Sequence, residues 1–252
     1  MTASLNKIRI LFVKTFSLLG VKLSGLKKAH ILNTLETFLT GEKFNHIATV
    51  NPEFLVEGHK NSKFKKLLNQ TSLNVCDGFG ISFWTKILYR KNITRITGVS
   101  LAEHLCALAA ENNKSVYFIG GFDVAGKAAE IMQKKYPALI VAGTENGNPK
   151  VLSPKLKDSK PDIILVAFGS PAQEFWIDTF KVDLEHTKIA VGIGGTFDFW
   201  TGKTTRAPKA FRSLGLEWLW RLLTQPKRAK RIYNAVVVYS GLVLKEKFSK
   251  SH

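Results

Sequence analysis

Three features of the 252-residue sequence predict an α/β fold with a mainly parallel sheet flanked by helices. Six short apolar runs alternate with segments of helical periodicity. The runs are continuous, without the polar alternation of a half-solvated strand, as strands covered on both faces require. Small and polar residues stand directly after them, at the carboxyl ends where open parallel sheets bind ligands. A chain of this length can bury a full core, as one domain or as a large domain with a smaller attachment.

Taken in order, the opening stretch MTASLNKIRILFVKTFSLLGVKLSG (1–25) has a basic start and an apolar middle. Lys14 interrupts that middle and no A-x-A cleavage pattern follows, so a first strand or surface helix is expected in place of a signal peptide. Ser24 is a candidate cap and Gly41 a candidate stop for a helix over 24–41. HIATV (46–50) then leads into Asn51-Pro52-Glu53, and SLNVC (72–76) into Asp77-Gly78-Phe79-Gly80, where a helix over 77–90 begins. A further helix is expected over 100–112. SVYFIG (115–120) is followed by Gly121-Phe122-Asp123 and a helix over 123–136. LIVAG (139–143), DIILVAFG (162–169), which precedes Ser170-Pro171-Ala172-Gln173-Glu174, and KIAVGIGG (188–195), which precedes Thr196-Phe197-Asp198, complete a Rossmann-like order.

Beyond it, a helical, basic C-terminal appendage is predicted, dividing the chain into an α/β catalytic core (1–198) and a membrane-associating appendage (199–252). Pro208 starts a helix in which Phe211, Leu214, Trp218, Leu219 and Leu222 share an apolar face. Pro226 ends that helix and opens another, at whose start Lys227, Arg228, Lys230 and Arg231 crowd together. Cations are disfavoured there by the macrodipole, so a separate purpose is indicated. The core is expected to stay folded without the appendage.

The net charge of +18 is concentrated in this region, where residues 199–252 carry twelve Lys/Arg and two Glu. Such a surplus points to an anionic partner: nucleic acid, an acidic membrane surface or a phosphorylated substrate. The aromatics recur with leucines at helical spacing and do not interleave as a base-stacking platform, which ranks nucleic acid well below the others. A purely structural membrane adaptor would account for the tail and leave the polar strand ends unexplained. With 45% hydrophobic and 22% charged residues, close to the globular average, disorder is not the default expectation. No apolar run reaches the ~20 residues of a bilayer span. Cys76 and Cys106 are isolated, which fits a reducing cytoplasm and neither a disulfide framework nor a zinc site.

No cofactor is indicated, and no Asp-x-Asp, HExxH or Gly-x-Ser-x-Gly pattern occurs. GFDVAGK (121–127) has the G-x-x-x-x-G-K spacing, but Ala128 replaces the magnesium-binding Ser/Thr and Gly126 falls within the expected helix. GKTT (202–205) has no glycine at the required distance upstream and follows no strand. Without a metal clamp, phosphates would be neutralised by Arg, Lys and helix N-termini. Among the acids Asp77 stands out: it follows an apolar strand, sits beside two glycines and lies in a segment poor in charge, where burial would raise its pKa toward that of a useful base. The N-cap of the following helix is the alternative role, and the residues alone favour the cap.

Taken together, TVNPEFLV (49–56), CDGFGISFW (76–84), RITGVSL (95–101), SVYFIGG (115–121), FGSPAQEFWI (168–177) and the block from Gly194 to Arg231 resemble the WecG/TagA/CpsF family of bacterial glycosyltransferases. The resemblance implies an inverting enzyme, peripheral on the cytoplasmic face of the inner membrane. It would move a hexose, N-acetylmannosamine first and glucose or N-acetylmannosaminuronate as alternatives, from a UDP-sugar donor to a lipid-linked sugar acceptor on polyprenyl diphosphate. It further implies Asp77 as catalytic base, and Thr49, Asn51, Arg95 and Gln173 as substrate-binding residues. Arg206, Arg212, Arg221, Arg228 and Arg231 would belong to an appendage that closes over the site and touches an anionic membrane surface, with Trp218 and Trp220 as anchors. One departure stands out: Asn146-Gly147-Asn148-Pro149 occupies the place where the family often has His-Gly-Tyr-Phe, which bears on donor recognition.

Overall fold

The computed structural model describes residues 15–249, so the expectation for the opening stretch is met by structure only from Thr15 onward. There β1 (Thr15–Leu18) and β2 (Val21–Ser24) form an antiparallel hairpin. The chain continues through α1 (Lys28–Thr40), β3 (Asn45–Val50), α2 (Pro52–Lys60), α3 (Ser62–Gln70), β4 (Leu73–Cys76), α4 (Phe79–Tyr89), α5 (Gly98–Glu111), β5 (Ser115–Gly120) and α6 (Ala125–Lys135). β6 (Ile140–Glu145), α7 (Pro154–Ser159), β7 (Ile163–Ala167), α8 (Ala172–Phe180), β8 (Ile189–Gly192) and α9 (Thr196–Trp200) complete the α/β unit. Then come α10 (Lys209–Ser213), α11 (Glu217–Thr224), a 3-10 turn at Pro226–Arg228, α12 (Ala229–Tyr233), a π-helical stretch at Asn234–Val238 and α13 (Tyr239–Ser249).

All six apolar runs become strands of one parallel sheet, in the order β4-β3-β8-β7-β5-β6. Alternate residues of a strand point to opposite faces, and here both faces are covered. On β7, Ile163 and Leu165 enter a core shared with Ile31 and Leu35 of α1, Leu105 of α5 and Met132 of α6. Ile164 and Val166 enter a second one with Leu156 of α7 and with Trp176 and Ile177 of α8. A third cluster joins the hairpin, α2, α3 and α4 to Ala48 and Val50 of β3.

Local departures from expectation have local causes. Ser24 ends β2 and its Oγ accepts from the Leu26 N–H at 3.3 Å, while α1 begins four residues later, at Lys28, without a side-chain cap. Helices α2 and α3 were not legible as periodic segments, yet each carries an Asn cap: the Asn51 and Asn61 carboxamides accept from Phe54 N–H at 3.2 Å and Phe64 N–H at 3.1 Å. The helix expected between Pro208 and Pro226 breaks at Gly215 (φ +74), where any Cβ would strike the Phe79 ring. Its apolar face is thereby dispersed: Leu214 is 66% and Trp218 37% exposed, while Trp220 packs edge-on against Phe211 at 5.7 Å.

The last helix completes the core. Tyr239 and Val243 of α13 are fully buried in the third cluster beside Leu18, Phe54 and Ile81. The Leu19 N–H donates to Glu246 Oε2 at 3.0 Å, and Trp84 Nε1 donates to Ser240 Oγ at 3.0 Å. The appendage therefore lines the cleft at the strand ends and returns to the core, where α13 packs against α2, α4 and the hairpin. Among the described residues, no helix is long and apolar enough to cross a membrane.

Candidate active site

Glycines and short polar residues after β3, β4, β5, β7 and β8 open a cleft of about 610 Å³ at the carboxyl ends of the strands, with α11, α12 and the π-helical stretch along its outer wall. Thr49, Asn51, Asp77, Arg95, Gln173, Arg206, Arg221, Arg228 and Arg231 all line it. Arg212 does not; it stands behind Arg206, with its own Nε buried and unpaired.

Asp77 is placed by the sheet itself. Its N–H continues the β3–β4 ladder by donating to the Val50 carbonyl at 2.7 Å. Gly78 has no Cβ because one would meet the Pro52 ring, so α2 and α4 can start side by side. The Asp77 carboxylate caps neither: α4 has no side-chain cap, and Asp77 Oδ2 accepts the Gly98 N–H at 2.8 Å, at the start of α5. Burial raises the Asp77 pKa above its ordinary 3.8. The Gly98 N–H and Arg95 oppose that rise, Glu217 adds to it and Arg221 opposes it.

Arg95 reaches this corner because its backbone pairs with Cys76 as a one-residue extension of the sheet, with the Ile96 N–H donating to the Cys76 carbonyl at 2.9 Å. Glu217, which sequence reading passed over, sits between two guanidiniums: Arg221 at 2.6 Å and Arg95 at 3.6 Å. It ties the appendage to the core. Glu53 does the same for Arg231 at 2.7 Å. Arg221 also lies over the Phe199 ring at 5.3 Å. Arg206 reaches Thr97 Oγ1 at 3.4 Å. Burial lowers the pKa of Arg206 and of Arg228, and neighbouring cations, Arg212 for the first and Arg231 for the second, lower them further. Crowded, partly desolvated guanidiniums gain most from a multiply charged anion.

Gln173 and Thr49 shape the cleft from beneath. Gln173 Oε1 accepts from Gly169 N–H at 3.1 Å and Gly194 N–H at 3.0 Å, clamping the turns after β7 and β8. Its Nε2 donates to Glu174 Oε1 at 3.0 Å, and Glu174 Oε2 meets buried His46 Nε2 at 2.6 Å. The Thr49 hydroxyl donates to the Gly192 carbonyl at 2.8 Å. A Cβ on Gly192 would be driven into the Gln173 and Glu174 side chains. Gly192→Ala is accordingly expected to lower stability by about 1–3 kcal/mol, with a fall in urea midpoint at unchanged m-value. The His46–Glu174 pair had no signature in the sequence, because an isolated His and a Glu 128 residues apart meet only through the β3–α8 packing.

The strand ends of the doubly covered sheet thus gather a buried carboxylate and several guanidiniums in one cleft, chemistry that suits a group-transfer enzyme acting on anionic substrates. Comparison narrows the class. The model of the glycosyl transferase WecG/TagA/CpsF family matches residues 16–252. The chain is 33% identical over 213 residues, 83% of its own length and 82% of the relative's, to an N-acetylglucosaminyldiphosphoundecaprenol N-acetyl-beta-D-mannosaminyltransferase of Bacillus spizizenii. It is 30% identical over 241 residues, 93% of its length and 94% of the relative's, to a protein of the same name from Staphylococcus aureus strain MRSA252. The chain belongs to the WecG/TagA/CpsF family and is a glycosyltransferase.

Proposed function

We propose that the protein transfers a hexose, of the N-acetylmannosamine type, from a UDP-sugar to a sugar carried on polyprenyl diphosphate, in the synthesis of a cell-surface polymer. The single observation that carries the reading is Asp77, a carboxylate of raised pKa at the end of β4, facing a cleft lined by five arginines. An inverting transfer is one displacement. The acceptor hydroxyl gives its proton to Asp77 and its oxygen attacks the anomeric carbon. The bond from that carbon to the UDP oxygen breaks, and the electron pair leaves on the diphosphate. Arg95, Arg206, Arg221, Arg228 and Arg231 are positioned to neutralise that charge. Arg212, outside the cleft, acts through Arg206.

Gln173 and Thr49 are positioning residues in this scheme, because their hydrogen bonds go to backbone and to Glu174. The relatives' names, which specify N-acetylmannosamine transfer to N-acetylglucosaminyldiphosphoundecaprenol, support the acceptor and favour this donor over UDP-glucose or UDP-N-acetylmannosaminuronate. Exposed Lys209, Lys227 and Lys230, together with Trp218 and Leu214, form the surface by which the appendage rests on anionic lipid at the cytoplasmic face of the inner membrane. Trp220 is turned inward and serves no such role. Arginines sunk in a concave cleft beside Glu53 and Glu217 do not suit nucleic acid, which is gripped along an open basic face.

A screen of UDP-hexose donors with a short-chain polyprenyl-diphosphate N-acetylglucosamine acceptor tests the reading. UDP release that requires both donor and acceptor, largest with UDP-N-acetylmannosamine, is expected. No release with any UDP-hexose sinks it.

A further inference from the structure

The turn that closes β5 carries the longest run of left-handed residues in the described backbone. Gly120, Gly121, Phe122 and Asp123 have φ of +100, +81, +47 and +65, four left-handed residues in succession. The glycines are dictated by space: a Cβ on Gly120 would strike the Ala167 backbone, and one on Gly121 would strike Val124 and Phe197. Asp123 tolerates the conformation, but for the bulky Phe122 it is costly. It is nevertheless braced from two sides. Lys203 Nζ donates to the Phe122 carbonyl at 3.1 Å, and the Asp123 N–H donates to Asn146 Oδ1 at 2.8 Å, with the two side chains also in contact. The two stretches whose glycines and lysines imitate a phosphate-binding loop, 121–127 and 202–205, thus meet to hold one turn.

That turn holds a phenylalanine in water. Phe122 is 85% exposed, yet its residue lines the cleft. Burial would favour the ring elsewhere, so strain, bracing and exposure together mark a side chain kept for a ligand. The sheet order states which part of the ligand. β5 lies four strands from β4, so Phe122 stands roughly 19 Å along the strand ends from Asp77 at the usual strand spacing. Between them the turns after β7 and β8 bring Gly169 and Gly194 into the same cleft, and Arg221 lies over the Phe199 ring in the segment after β8. With the reacting sugar at Asp77 and the diphosphate at the arginines, the far end of the donor is a flat heteroaromatic base.

We propose that Phe122 is the stacking platform for the nucleobase of the donor, and that Asn146 sets its position; this rests on the nucleotide-sugar reading above. It also gives the departure at residues 146–149 a physical route to donor recognition, through the Asn146–Asp123 brace.

Calorimetric titration of the full chain with UDP and with inorganic pyrophosphate, which lacks the base, tests it. Phe122→Ala is expected to weaken UDP binding about tenfold, in keeping with a single base–aromatic stack, and to leave pyrophosphate binding unchanged. Phe122→Trp is expected to keep UDP affinity, and Asn146→Ala to lose part of it. UDP affinity unaltered by Phe122→Ala, or an equal loss for pyrophosphate, overturns the assignment. So does reduced partition of that variant onto anionic vesicles without nucleotide, which would make Phe122 a bilayer contact. A wild-type chain that binds pyrophosphate and not UDP would remove the donor reading itself.

Discussion

Asp77→Asn is expected to lower the rate of sugar transfer by about 10²- to 10⁴-fold, the usual worth of a positioned general base, while UDP binding stays near wild type. Asn keeps an oxygen that accepts the Gly98 N–H, so the turn at the end of β4 survives the substitution. The pH dependence separates a base from a cap. Only ionised Asp77 accepts a proton, so kcat/KM falls as pH drops through its folded pKa. Burial raises that pKa, so the acid limb lies at higher pH than the ordinary 3.8 would place it. The stability sign is the reverse of the usual salt-bridged carboxylate. A raised folded pKa means that the ionised form costs stability above that pKa, and that the cost is gone below the unfolded value. Asp77→Asn should therefore match or exceed the wild-type melting temperature at neutral pH, as thermal denaturation would read. Near-normal turnover, or an acid limb unmoved in the variant, would reject Asp77 as the base.

Deletion of residues 199–252 is expected to abolish transfer and release the protein from anionic vesicles, but through two causes that must be parted. It removes four of the five cleft arginines, all but Arg95, and it also removes Tyr239 and Val243 from the core they share with Leu18, Phe54 and Ile81. Truncating one large buried aromatic costs about 3–5 kcal/mol, a large share of the ~5–15 kcal/mol that holds a domain folded. Burial of α13 thus argues against a core that stays folded alone. The separating variant is the full chain with Arg206, Arg221 and Arg228 changed to Gln. Transfer should drop at least about 10²-fold through lost stabilisation of the departing diphosphate. The melting temperature should hold within a few degrees, since Arg206 and Arg228 are already crowded by other cations. Wild-type rates in that variant would take the diphosphate away from these arginines.

How much of this was legible in sequence follows the range of the interactions involved. The six strands of the sheet announced themselves, as did α1, α4, α5 and α6, because continuous apolar runs and 3.6-residue periodicity are local consequences of burial on both faces of a sheet. Asp77 and Asn51 stood out from their places directly after strands, where parallel sheets bind ligands, whereas Arg95 was marked only by the family resemblance of RITGVSL. Helices α2, α3 and α8 were missed: two are short and amphipathic over only nine residues, and α8 buries Gln173 and Glu174, polar residues that read as surface.

By itself, then, the sequence determined the α/β class, the parallel sheet, the family and the set of residues to examine at the strand ends. Only the tertiary structure decided what those residues do to one another. It turned Asp77 toward α5 instead of its own helix, spent Gln173 on backbone clamps, set Arg212 behind the cleft, and coupled Glu217 and Glu53 to the arginines. It also returned α13 to the core and held Phe122 over the strand ends. The physical reason is range: propensity and periodicity act over a few residues and leave a local trace, whereas hydrogen bonds, ion pairs and close packing join residues up to 227 positions apart and leave none.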